Sequence, residues 1–200
     1  MTPPTAPTDD KRNVIDYFKH TETLLVKGDL DQYRRDFIIA FEGFQYDFNC
    51  GGVLRNANAF LARETLFVGG SSRQWDKRGS VGTHHYEHLS YLPDLSELKA
   101  KLINEGRPLI ILEDTPEALP LEEHSWDERS CILVGAEGEG VSEEVLGWVR
   151  TGEVPGAVVY IEQLGSVRSL NASVAVGIAC FHYSLQNPGQ KPPWARSQLQ

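Results

Sequence analysis

The stretch Cys131-Ile-Leu-Val-Gly-Ala-Glu-Gly-Glu-Gly-Val-Ser142 contains the local pattern from which the fold class follows. Its four apolar residues predict a buried strand, its glycines predict a tight loop, and Ser142 before two glutamates predicts the start of a helix. The glycine order is GxxGxG rather than the dinucleotide-binding GxGxxG, and Glu137 and Glu139 would repel a pyrophosphate. Such a loop suits a ligand with hydroxyls, an amine or a positive centre, while a tight turn without a ligand is the alternative.

Short apolar runs and helical segments alternate around this stretch, from Phe44 onward. The predicted strands are Glu64–Val68, Glu87–Tyr91, Pro108–Leu112, Cys131–Val134 and Val158–Ile161. The predicted helices are Gly52–Ala62, Leu95–Asn104, Glu143–Val149 and Leu170–Leu185. Strands separated by helices predict βαβ crossovers, and therefore an α/β fold with a mostly parallel sheet flanked by helices.

The two ends of the chain differ in composition from this central part. Residues 1–10 are rich in Pro, Thr and Asp and predict a disordered tail. Residues 11–43 show apolar residues at helical spacing and predict an N-terminal helical extension. Residues 44–186 form the predicted main domain, and residues 187–200, rich in Pro and Gln, predict a loosely ordered C-terminal tail.

The overall composition is that of a globular protein of one domain. The chain has 200 residues, of which 40% are hydrophobic and 24% are charged. No apolar run approaches the roughly 18 residues of a membrane span, and residues 1–10 lack the hydrophobic stretch of a secretory signal. The cysteines form no CxxC pair, which is typical of proteins in a reducing compartment. We therefore expect a cytoplasmic protein without membrane contact.

The negative charge is distributed unevenly along the chain. The formal net charge is −9, but most of the acidic excess lies between Glu113 and Glu144. Between Arg63 and Ser80, basic residues outnumber acidic ones, and the aromatic residue Trp75 lies among them. A local surface of this kind can bind phosphates even on an acidic protein, and a solvated loop is the alternative.

A second segment with candidate chemistry is Asp47-Phe-Asn-Cys-Gly-Gly-Val-Leu-Arg-Asn-Ala-Asn58. Asn49 and the glycines after it can cap a helix, which would place Arg55 near the helix start. A guanidinium there opposes the helix macrodipole, and an incoming phosphate or carboxylate would compensate. The alternative is that Arg55 pairs with one of the many acidic residues.

A third segment, Ile161-Glu-Gln-Leu-Gly-Ser-Val-Arg-Ser-Leu-Asn-Ala-Ser173, lies between the last predicted strand and the last predicted helix. Its polar residues from Gly165 to Ser169 are at the carboxyl end of a strand, where α/β folds bind ligands. The alternative is that Ser169 is only a helix N-cap and that Asn171 is an ordinary residue of the first turn.

The helix after this segment carries two apolar faces. Large residues at steps of three and four predict a core stripe, formed by Leu170, Val174, Ile178, Phe181 and Leu185. Small residues on an adjacent face permit close packing; they are Ala172, Ala175 and Ala179.

Several other catalytic patterns are disfavoured or absent. His84, His85 and His88 do not follow the HExxH order, and in an extended segment His84 and His88 would lie about 13 Å apart. We therefore expect no metal site. The sequence contains neither GxSxG nor GxxxxGK[ST], which argues against a hydrolase nucleophile elbow and against a P-loop NTPase.

In this order and at this spacing, the three segments resemble the three motifs of the SpoU/TrmH branch of the SPOUT methyltransferases. The matching residues are Asn49 and Arg55 in the first, Gly135, Glu137, Gly140 and Ser142 in the second, and Ile161, Gly165, Ser169, Asn171 and Ser173 in the third. The resemblance covers residues 44–186. It implies homodimers and the SPOUT fold, in which a C-terminal part, roughly residues 131–186, forms a deep trefoil knot.

The resemblance also implies S-adenosylmethionine as the cofactor, bound in the knot mainly by the backbone of the second and third motifs. The implied cofactor-binding residues are Gly135, Gly140, Ile161 and Leu170, with Glu113 as a weaker match. The methyl donor is a sulfonium cation, so carboxylates near it are compatible with its charge.

The implied reaction is methylation of a ribose 2′-hydroxyl in tRNA or, as the second choice, in rRNA. Arg55 matches the catalytic arginine of the family. Because the pKa of an arginine exceeds about 12, Arg55 suits phosphate positioning and charge stabilisation better than proton removal. Asn49, Glu137, Ser169 and Asn171 would shape the pocket and orient substrate or cofactor.

RNA recognition would fall on the N-terminal helices and on the basic stretch that follows Arg63. Arg73, Lys77 and Arg78 would contact phosphates, and Trp75 would stack on a base. Cys50, Asn56 and Ile-Glu-Gln at 161–163 depart from the common form of the motifs, so the chemistry is better defined than the substrate.

Two other functions remain as alternatives at this stage. One is a non-catalytic RNA- or nucleoside-binding dimer that keeps the knotted fold. The other is a knotted methyltransferase that modifies a base, which is disfavoured because Ser169-Leu-Asn171 follows the ribose-modifying branch.

Overall fold

The computed structural model describes residues 10–44, 48–69 and 75–195, which form a seven-stranded sheet with helices on both faces. The strands are β1 (Ile38–Glu42), β2 (Glu64–Val68), β3 (Leu89–Leu92), β4 (Leu109–Leu112), β5 (Leu119–Pro120), β6 (Cys131–Val134) and β7 (Gly156–Tyr160). The α-helices are α1 (Thr23–Asp31), α2 (Asn49–Ala59), α3 (Leu95–Glu105), α4 (Glu143–Arg150) and α5 (Ala172–Gln186).

The order of the strands confirms the predicted parallel α/β sheet. The order is β3-β2-β1-β6-β4-β7-β5, and every pair of neighbouring strands is parallel. From β1 the chain continues to β2 and β3 on one side, whereas β6 and β4 lie on the other side. The order therefore reverses between β1 and β6, and open α/β sheets bind ligands at the carboxyl ends of strands beside such a reversal.

Two apolar layers enclose the sheet. The helices α2 and α5 cover one face, through residues such as Leu54 and Tyr183. The helices α3 and α4 cover the other face, through residues such as Leu98 and Trp148. Apolar residues of β1 alternate between the two layers, because a central parallel strand is buried on both of its faces.

The position of β1 corrects the predicted N-terminal helical extension at 11–43. Only α1 and a short 3-10 helix, Asp16–Phe18, are helical in this part of the described chain. The last predicted helical residues belong instead to β1, which pairs with β2 and β6 in the middle of the sheet. A strand buried on both faces is a continuous apolar run without alternation of apolar and polar residues. Tyr33 and Phe37 before it are at helical spacing, so the sequence pattern of this region resembles that of a helix.

The orientation of α5 corrects the predicted core stripe. The buried face consists of Ala172, Val176, Ala179, Cys180 and Tyr183. The large residues predicted for the core are exposed instead; they are Val174, Ile178, Phe181 and Leu185. Leu170 is half-buried and precedes the helix. Apolar periodicity locates a face of a helix, but it does not say whether that face meets the same chain.

The two ends of the described chain pack against each other. The ring of Trp194 lies 5.3, 4.8 and 5.2 Å from the rings of Tyr17, Phe18 and Tyr33, measured between centroids. The predicted loosely ordered C-terminal tail is therefore packed on the N-terminal segment at least as far as Trp194.

Some sequence predictions fall outside the described residues. These are the predicted disordered tail as far as residue 9, the end of the C-terminal tail at 196–200, and the phosphate contact of Arg73. Within the described residues, no helix is both long and apolar enough to cross a membrane.

Candidate active site

A cavity of about 750 Å³ lies at the carboxyl ends of β4, β6 and β7. Its wall contains all the residues predicted to bind the cofactor, which are Glu113, Gly135, Gly140, Ile161 and Leu170. Two of the predicted catalytic residues, Glu137 and Ser169, also line it. The cavity therefore lies at the carboxyl ends of the strands, on the β6 side of the reversal in strand order.

The glycine loop after β6 is folded closely upon itself. The Gly140 N–H donates to the Ala136 carbonyl at 2.9 Å, and a Cβ on Gly135 would lie 2.0 Å from the Gly140 carbonyl oxygen. Gly138 and Gly140 have φ values of +94° and +70°, which side chains of L residues rarely permit. The loop thus needs its glycines for its own shape, and that shape places its backbone in the cavity wall.

Two glutamates on neighbouring strands hold the end of this loop. Glu113, directly after β4, accepts a hydrogen bond from the Val141 N–H at 2.9 Å. Glu42, the last residue of β1, accepts one from the Ser142 N–H at 3.1 Å. Because β1 and β4 flank β6, the loop is fastened from both sides. The sequence analysis indicated Glu113 only through the family resemblance, and it missed Glu42.

The cavity is acidic and contains an unused acceptor. Among the described residues of its wall, one cation, Arg168, faces several carboxylates: Glu113, Asp114, Glu137 and Glu139. The Gln163 Oε1 atom is buried and has no hydrogen-bond partner in the described chain, which costs free energy unless a ligand donates to it. The wall therefore suits a ligand that carries positive charge and hydrogen-bond donors.

A hydrogen-bonded cluster beside the cavity joins the three segments singled out in the sequence. The Asn49 amide donates to Glu137 Oε2 at 2.8 Å, and Asn171 Nδ2 donates to Asn49 Oδ1 at 2.6 Å. Asn171 Nδ2 also lies 3.3 Å from Glu137 Oε2. Residues 122 positions apart in the chain meet here, in what we call the Asn49–Glu137–Asn171 cluster.

The N-cap of α5 is Asn171. Its Oδ1 atom accepts hydrogen bonds from the backbone N–H groups of Ser173 at 3.1 Å and Val174 at 3.4 Å. Ser169 lies earlier, exposed at the cavity wall. The alternative role of Ser169 as an N-cap is therefore wrong, and Asn171 combines the cap with the contact to Asn49.

Arg55 lies on α2, beside the contact between α2 and α5. Its neighbour Asn56 donates to the Ser173 carbonyl at 2.6 Å, and a Cβ on Gly52 would lie 2.6 Å from the Ser173 side chain. The Arg55 side chain is exposed and forms no ion pair within the described chain. An ion pair between Arg55 and an acidic residue, which was the alternative interpretation, is therefore not observed within the described chain.

The start of α2 corrects two details of the sequence analysis. The helix begins at Asn49 rather than Gly52, and its N-cap is Phe48. The Asn49 side chain binds Glu137, so the predicted capping by Asn49 is wrong. A helix macrodipole acts most strongly on a charge in the first turn, and Arg55 lies beyond that turn. The predicted conflict between Arg55 and the dipole is therefore wrong too.

Trp75 is not available to stack on an RNA base. Its side chain is 6% exposed, its Nε1 donates to the Tyr91 hydroxyl at 2.9 Å, and its ring packs edge-on against Phe67 at 5.6 Å. The predicted stacking role is therefore wrong, and Trp75 belongs to the core between the sheet and α2.

The other basic residues of this stretch remain on the surface. Lys77 and Arg78 are exposed on a short 3-10 helix, which approaches α2 so closely that a Cβ on Gly51 would lie 2.2 Å from the Gly79 carbonyl carbon. Arg78 forms an ion pair with Asp76 at 2.6 Å. Because Asp76 neutralises part of the charge of Arg78, Lys77 offers a phosphate more positive charge than Arg78 does.

The histidines that follow make separate contacts. His84 Nδ1 lies 2.7 Å from Ser80 Oγ, and burial lowers the pKa of His84. His88 binds Asp31 at 2.8 Å, on a different part of the surface. In the described ranges, no three His, Cys, Asp or Glu side chains are grouped as they would be around a metal ion.

The sheet and the cavity define a class of protein: an open, parallel α/β fold with its ligand site at the carboxyl ends of the strands. The profile of the SpoU rRNA Methylase family matches residues 36–181. The chain therefore belongs to the SpoU rRNA Methylase family, as the resemblance of its motifs predicts.

Individual relatives are similar over most of the chain. A tRNA (guanosine(18)-2'-O)-methyltransferase of Thermus thermophilus is 29% identical over 154 residues, which are 76% of this chain and 75% of that protein. The crystal structure of a TrmH/SpoU tRNA modifying enzyme of A. aeolicus has a TM-score of 0.71 at 18% identity, and the match covers 88% of this chain and 89% of that one. A SpoU methyltransferase of Streptomyces viridochromogenes, solved in complex with the cofactor AdoMet, has a TM-score of 0.66 at 21% identity, covering 82% of this chain and 62% of that one.

Proposed function

We propose that this protein transfers a methyl group from S-adenosylmethionine to a ribose 2′-hydroxyl of RNA, in tRNA first and otherwise in rRNA. The observation that carries the proposal is the Asn49–Glu137–Asn171 cluster at the edge of the acidic cavity. It joins the segments that correspond to the three motifs of the family. The Thermus relative, named for methylation of a tRNA ribose, supports the choice of tRNA.

The cavity fits S-adenosylmethionine. When bound, this cofactor supplies an electrophilic methyl group on a positively charged sulfonium. The carboxylates of the wall favour a positive centre, and Gln163 Oε1 accepts a hydrogen bond from an amino or hydroxyl group. Gly135, Gly140, Ile161 and Leu170 provide backbone and apolar contacts. The volume of about 750 Å³ lies within the range of small-molecule sites, about 300–1,000 Å³.

Arg55 acts on the substrate. It lies outside the cavity wall, exposed on α2, and a guanidinium stays charged at any physiological pH. It holds the phosphate beside the target ribose and stabilises the negative charge that develops on the 2′-oxygen. Asn49, Glu137 and Asn171 keep α2, the glycine loop and α5 in register, so that this oxygen is aligned with the donor, and Ser169 contacts the substrate at the cavity wall.

The test uses the full chain with labelled S-adenosylmethionine and total cellular RNA, and identifies the modified nucleoside by mass spectrometry. We expect a 2′-O-methylated nucleoside. Arg55→Ala should lower methyl transfer about a hundredfold or more, while the cofactor dissociation constant from calorimetry stays within a few-fold. Arg150→Ala is the matched control, because Arg150 is an exposed arginine on α4, at the opposite face of the sheet.

Two outcomes would contradict parts of this proposal. Loss of cofactor binding in Arg55→Ala would assign Arg55 to the cofactor site. RNA binding without any methyl transfer by the unaltered chain would favour the alternative, a non-catalytic RNA- or nucleoside-binding dimer.

The proposed RNA surface continues from α2 to the short 3-10 helix beside it. Lys77 and Arg78 are exposed there and are proposed to contact phosphates, together with Arg73 from the sequence analysis. Support comes from the close approach of Gly79 to Gly51, which puts this helix next to the one that carries Arg55.

A trefoil knot at 131–186 is proposed from the strand order. β7 lies between β4 and β5, although β4 and β5 follow each other in the chain. In the proposed knot, the connection from β4 to β5 crosses the carboxyl end of β7, and the chain then returns as a loop along residues 121–130 to β6. In the proposed knot, the segment after β7 passes through this loop to reach α5. The packing of α5 on the loop, with the Tyr183 hydroxyl donating to the Glu128 carbonyl at 2.8 Å, supports it.

A homodimer through α5 is also part of the proposal. Its support is the exposed apolar face of Val174, Ile178, Phe181 and Leu185, because contiguous apolar surface marks an interface. The small residues Ala172 and Ala179 are buried in the chain's own core, so they do not provide the close approach between subunits.

The cytoplasm is the proposed location. The three cysteines are free and buried, and burial raises the pKa of Cys131 to about 12. Thiols that stay protonated and unpaired are typical of proteins in a reducing compartment.

A further inference from the structure

A second cavity, of about 410 Å³, lies between the two ends of the described chain. Residues 13–15 with Phe18 form one of its walls, residues 190–192 and 194–195 form another, and the C-terminal end of α2 forms a third. Most of these residues lie outside the span of 36–181 that matches the SpoU rRNA Methylase family. We call this space the terminal cavity.

The terminal cavity is positively charged in an acidic protein. Among the described residues of its wall, Arg35 and Lys191 are basic and none is acidic, whereas the whole chain has a net charge of −9. A wall of this composition attracts anions, and a phosphate is the anion that every nucleotide carries. This distribution matches an anionic ligand and not the cationic one that suits the acidic cavity.

Arg35 has hydrogen-bonding capacity that the described chain leaves unused. Its Nη2 donates to the Pro188 carbonyl at 3.0 Å, but its Nη1 is buried without a hydrogen-bond partner. Burial lowers the pKa of Arg35, and no carboxylate forms an ion pair with it in the described ranges. A buried donor without an acceptor costs free energy, so a small movement of the Arg35 side chain that brought Nη1 to a phosphate oxygen would be favourable.

An aromatic ring gives the terminal cavity a surface on which a base can stack. Phe18, Tyr86 and Trp194 all line it, but Phe18 and Tyr86 are buried, and the half-buried Trp194 is the ring that a base can reach. Every nucleobase has a flat π-face, and stacking on an aromatic side chain contributes about 1–3 kcal/mol per base without strong sequence preference. The combination of rings and cations is the one that recognises a nucleotide.

The terminal cavity lies one helical turn from Arg55. Asn58 and Ala59 of α2 are part of its wall, and they follow Arg55 by three and four positions, which are neighbouring positions on a helix surface. A strand of RNA that reaches Arg55 is therefore within about one helical turn of the wall of the terminal cavity.

We propose that the terminal cavity binds one nucleotide of the substrate RNA strand, next to the nucleotide that is methylated. Its base stacks on Trp194, and its phosphate contacts Arg35 and Lys191. This inference rests on the proposed RNA methyltransferase function, and it assigns both ends of the chain to substrate binding.

The first experiment measures binding of unfractionated tRNA to the full chain at several salt concentrations. The double variant Arg35→Gln and Lys191→Gln should bind about tenfold more weakly and lower the slope of log K against log salt by about 1 or more. The matched control is Lys99→Gln with Arg150→Gln, which removes the same two residue types on the α3 and α4 face. It should change the affinity less than about twofold.

The second experiment follows the fluorescence of Trp194. Trp75, Trp126 and Trp148 are buried, so stacking in the terminal cavity should quench mainly Trp194. Adenosine and uridine 5′-monophosphates should quench the unaltered chain and not Trp194→Phe, and tRNA should displace them. Trp194→Phe retains an aromatic ring that can pack on Tyr17 and Phe18, and an unchanged cofactor affinity would show that the variants are folded.

The outcomes separate this inference from the proposed function. Unchanged tRNA affinity and salt slope in the double variant would overturn the inference, even if the chain methylates RNA. Quenching by mononucleotides that tRNA does not displace would also overturn it, since the ligand would then be a free nucleotide. Weaker tRNA binding by the variant, in a chain that transfers no methyl group, would support the terminal cavity and contradict the proposed activity.

Discussion

Asn171 uses the two ends of one amide group for two purposes. Its Oδ1 accepts the N–H groups of Ser173 and Val174 and so begins α5. Its Nδ2 donates to Asn49 Oδ1 and closes the Asn49–Glu137–Asn171 cluster. Serine and aspartate are equally good helix caps, but neither supplies the amide donor. An asparagine is therefore required by the candidate site and not by the helix.

Replacing Asn171 should separate these two roles. Asn171→Ala loses both, and we expect about 1 kcal/mol less stability together with at least about tenfold slower methyl transfer. Asn171→Ser keeps the cap and should lose only the methyl transfer. Urea denaturation and single-turnover methyl transfer measure the two effects. Asp94→Ala, which removes the N-cap of α3 on the other face of the sheet, is the control that should lose stability alone. A serine variant with the original rate would refute the site role of Asn171.

At the residue scale, the sequence located the cavity wall better than the role of single side chains. Gly135 and Gly140 could be recognised because a glycine loop after a strand has a local pattern. Trp75 was assigned wrongly because its burial depends on Tyr91 and Phe67, which the local composition does not reveal. The sequence does not reveal Glu42, because the N–H group that donates a hydrogen bond to it belongs to Ser142, 100 residues away.

Asp36 connects the amino ends of neighbouring strands, at the end of the sheet opposite the acidic cavity. It lies just before β1, and its ion-pair partners lie just before β2, β4 and β6. They are Arg63 at 2.6 Å, Arg107 at 2.8 Å and Arg129 at 3.3 Å. Arg107 is 1% exposed and also donates to the Arg129 carbonyl at 2.9 Å. The side chain of Asp36 thus compensates a buried charge and holds four elements together.

This connection predicts a dependence of stability on pH. Burial alone would raise the pKa of Asp36, but hydrogen bonds from Arg107 and Arg63 outweigh it and lower the pKa below its usual value of 3.8. A carboxyl group with a lowered pKa in the folded state stabilises the fold above its unfolded pKa, and this contribution is lost as the pH falls through the folded pKa. We therefore expect the free energy of unfolding in urea to decrease as the pH falls from 5 to 3.

Asp36→Asn tests whether Asp36 carries part of this dependence. At pH 6 the variant should be less stable by about 2 kcal/mol, because it loses charged hydrogen bonds, and the two proteins should converge towards pH 3. Asp16→Asn, at an exposed aspartate, is the control that should follow the unaltered chain. An Asp36→Asn variant whose stability curve runs parallel to that of the unaltered chain would mean that the acid sensitivity arises elsewhere.

At the scale of elements, local patterns defined strands best where the apolar run was short and bounded. The bounds of β2 and β6 agree with the predicted Glu64–Val68 and Cys131–Val134. The sequence pattern predicts helix at β1 because its apolar run is continuous with helically spaced residues before it. The pairing of β1 with β6, about 90 positions later in the chain, identifies it as a strand, and no local window contains that information.

At the scale of the whole molecule, the net charge conceals two opposite surfaces. The acidic excess lies around the cavity that suits a sulfonium cofactor, whereas the terminal cavity has two cations and no acid among its described wall residues. A net charge of −9 therefore does not argue against RNA. What matters for a polyanion is the charge at the place where it binds, since the Debye length is only about 8 Å at physiological salt.

The exposed face of α5 predicts the assembly of the whole molecule. Ile178 and Phe181 are 37% and 55% exposed, and burying them against a second copy would stabilise a dimer by the hydrophobic effect. Ultracentrifugation should give the unaltered chain about twice its 22.3 kDa mass. Ile178→Glu with Phe181→Glu should raise the dimer dissociation constant about a hundredfold or more, because carboxylates would be buried without partners. Leu24→Glu, at an exposed leucine of α1, should leave the dimer intact. A monomeric unaltered chain, or a dimer that survives both glutamates, would place the subunit contact on another surface.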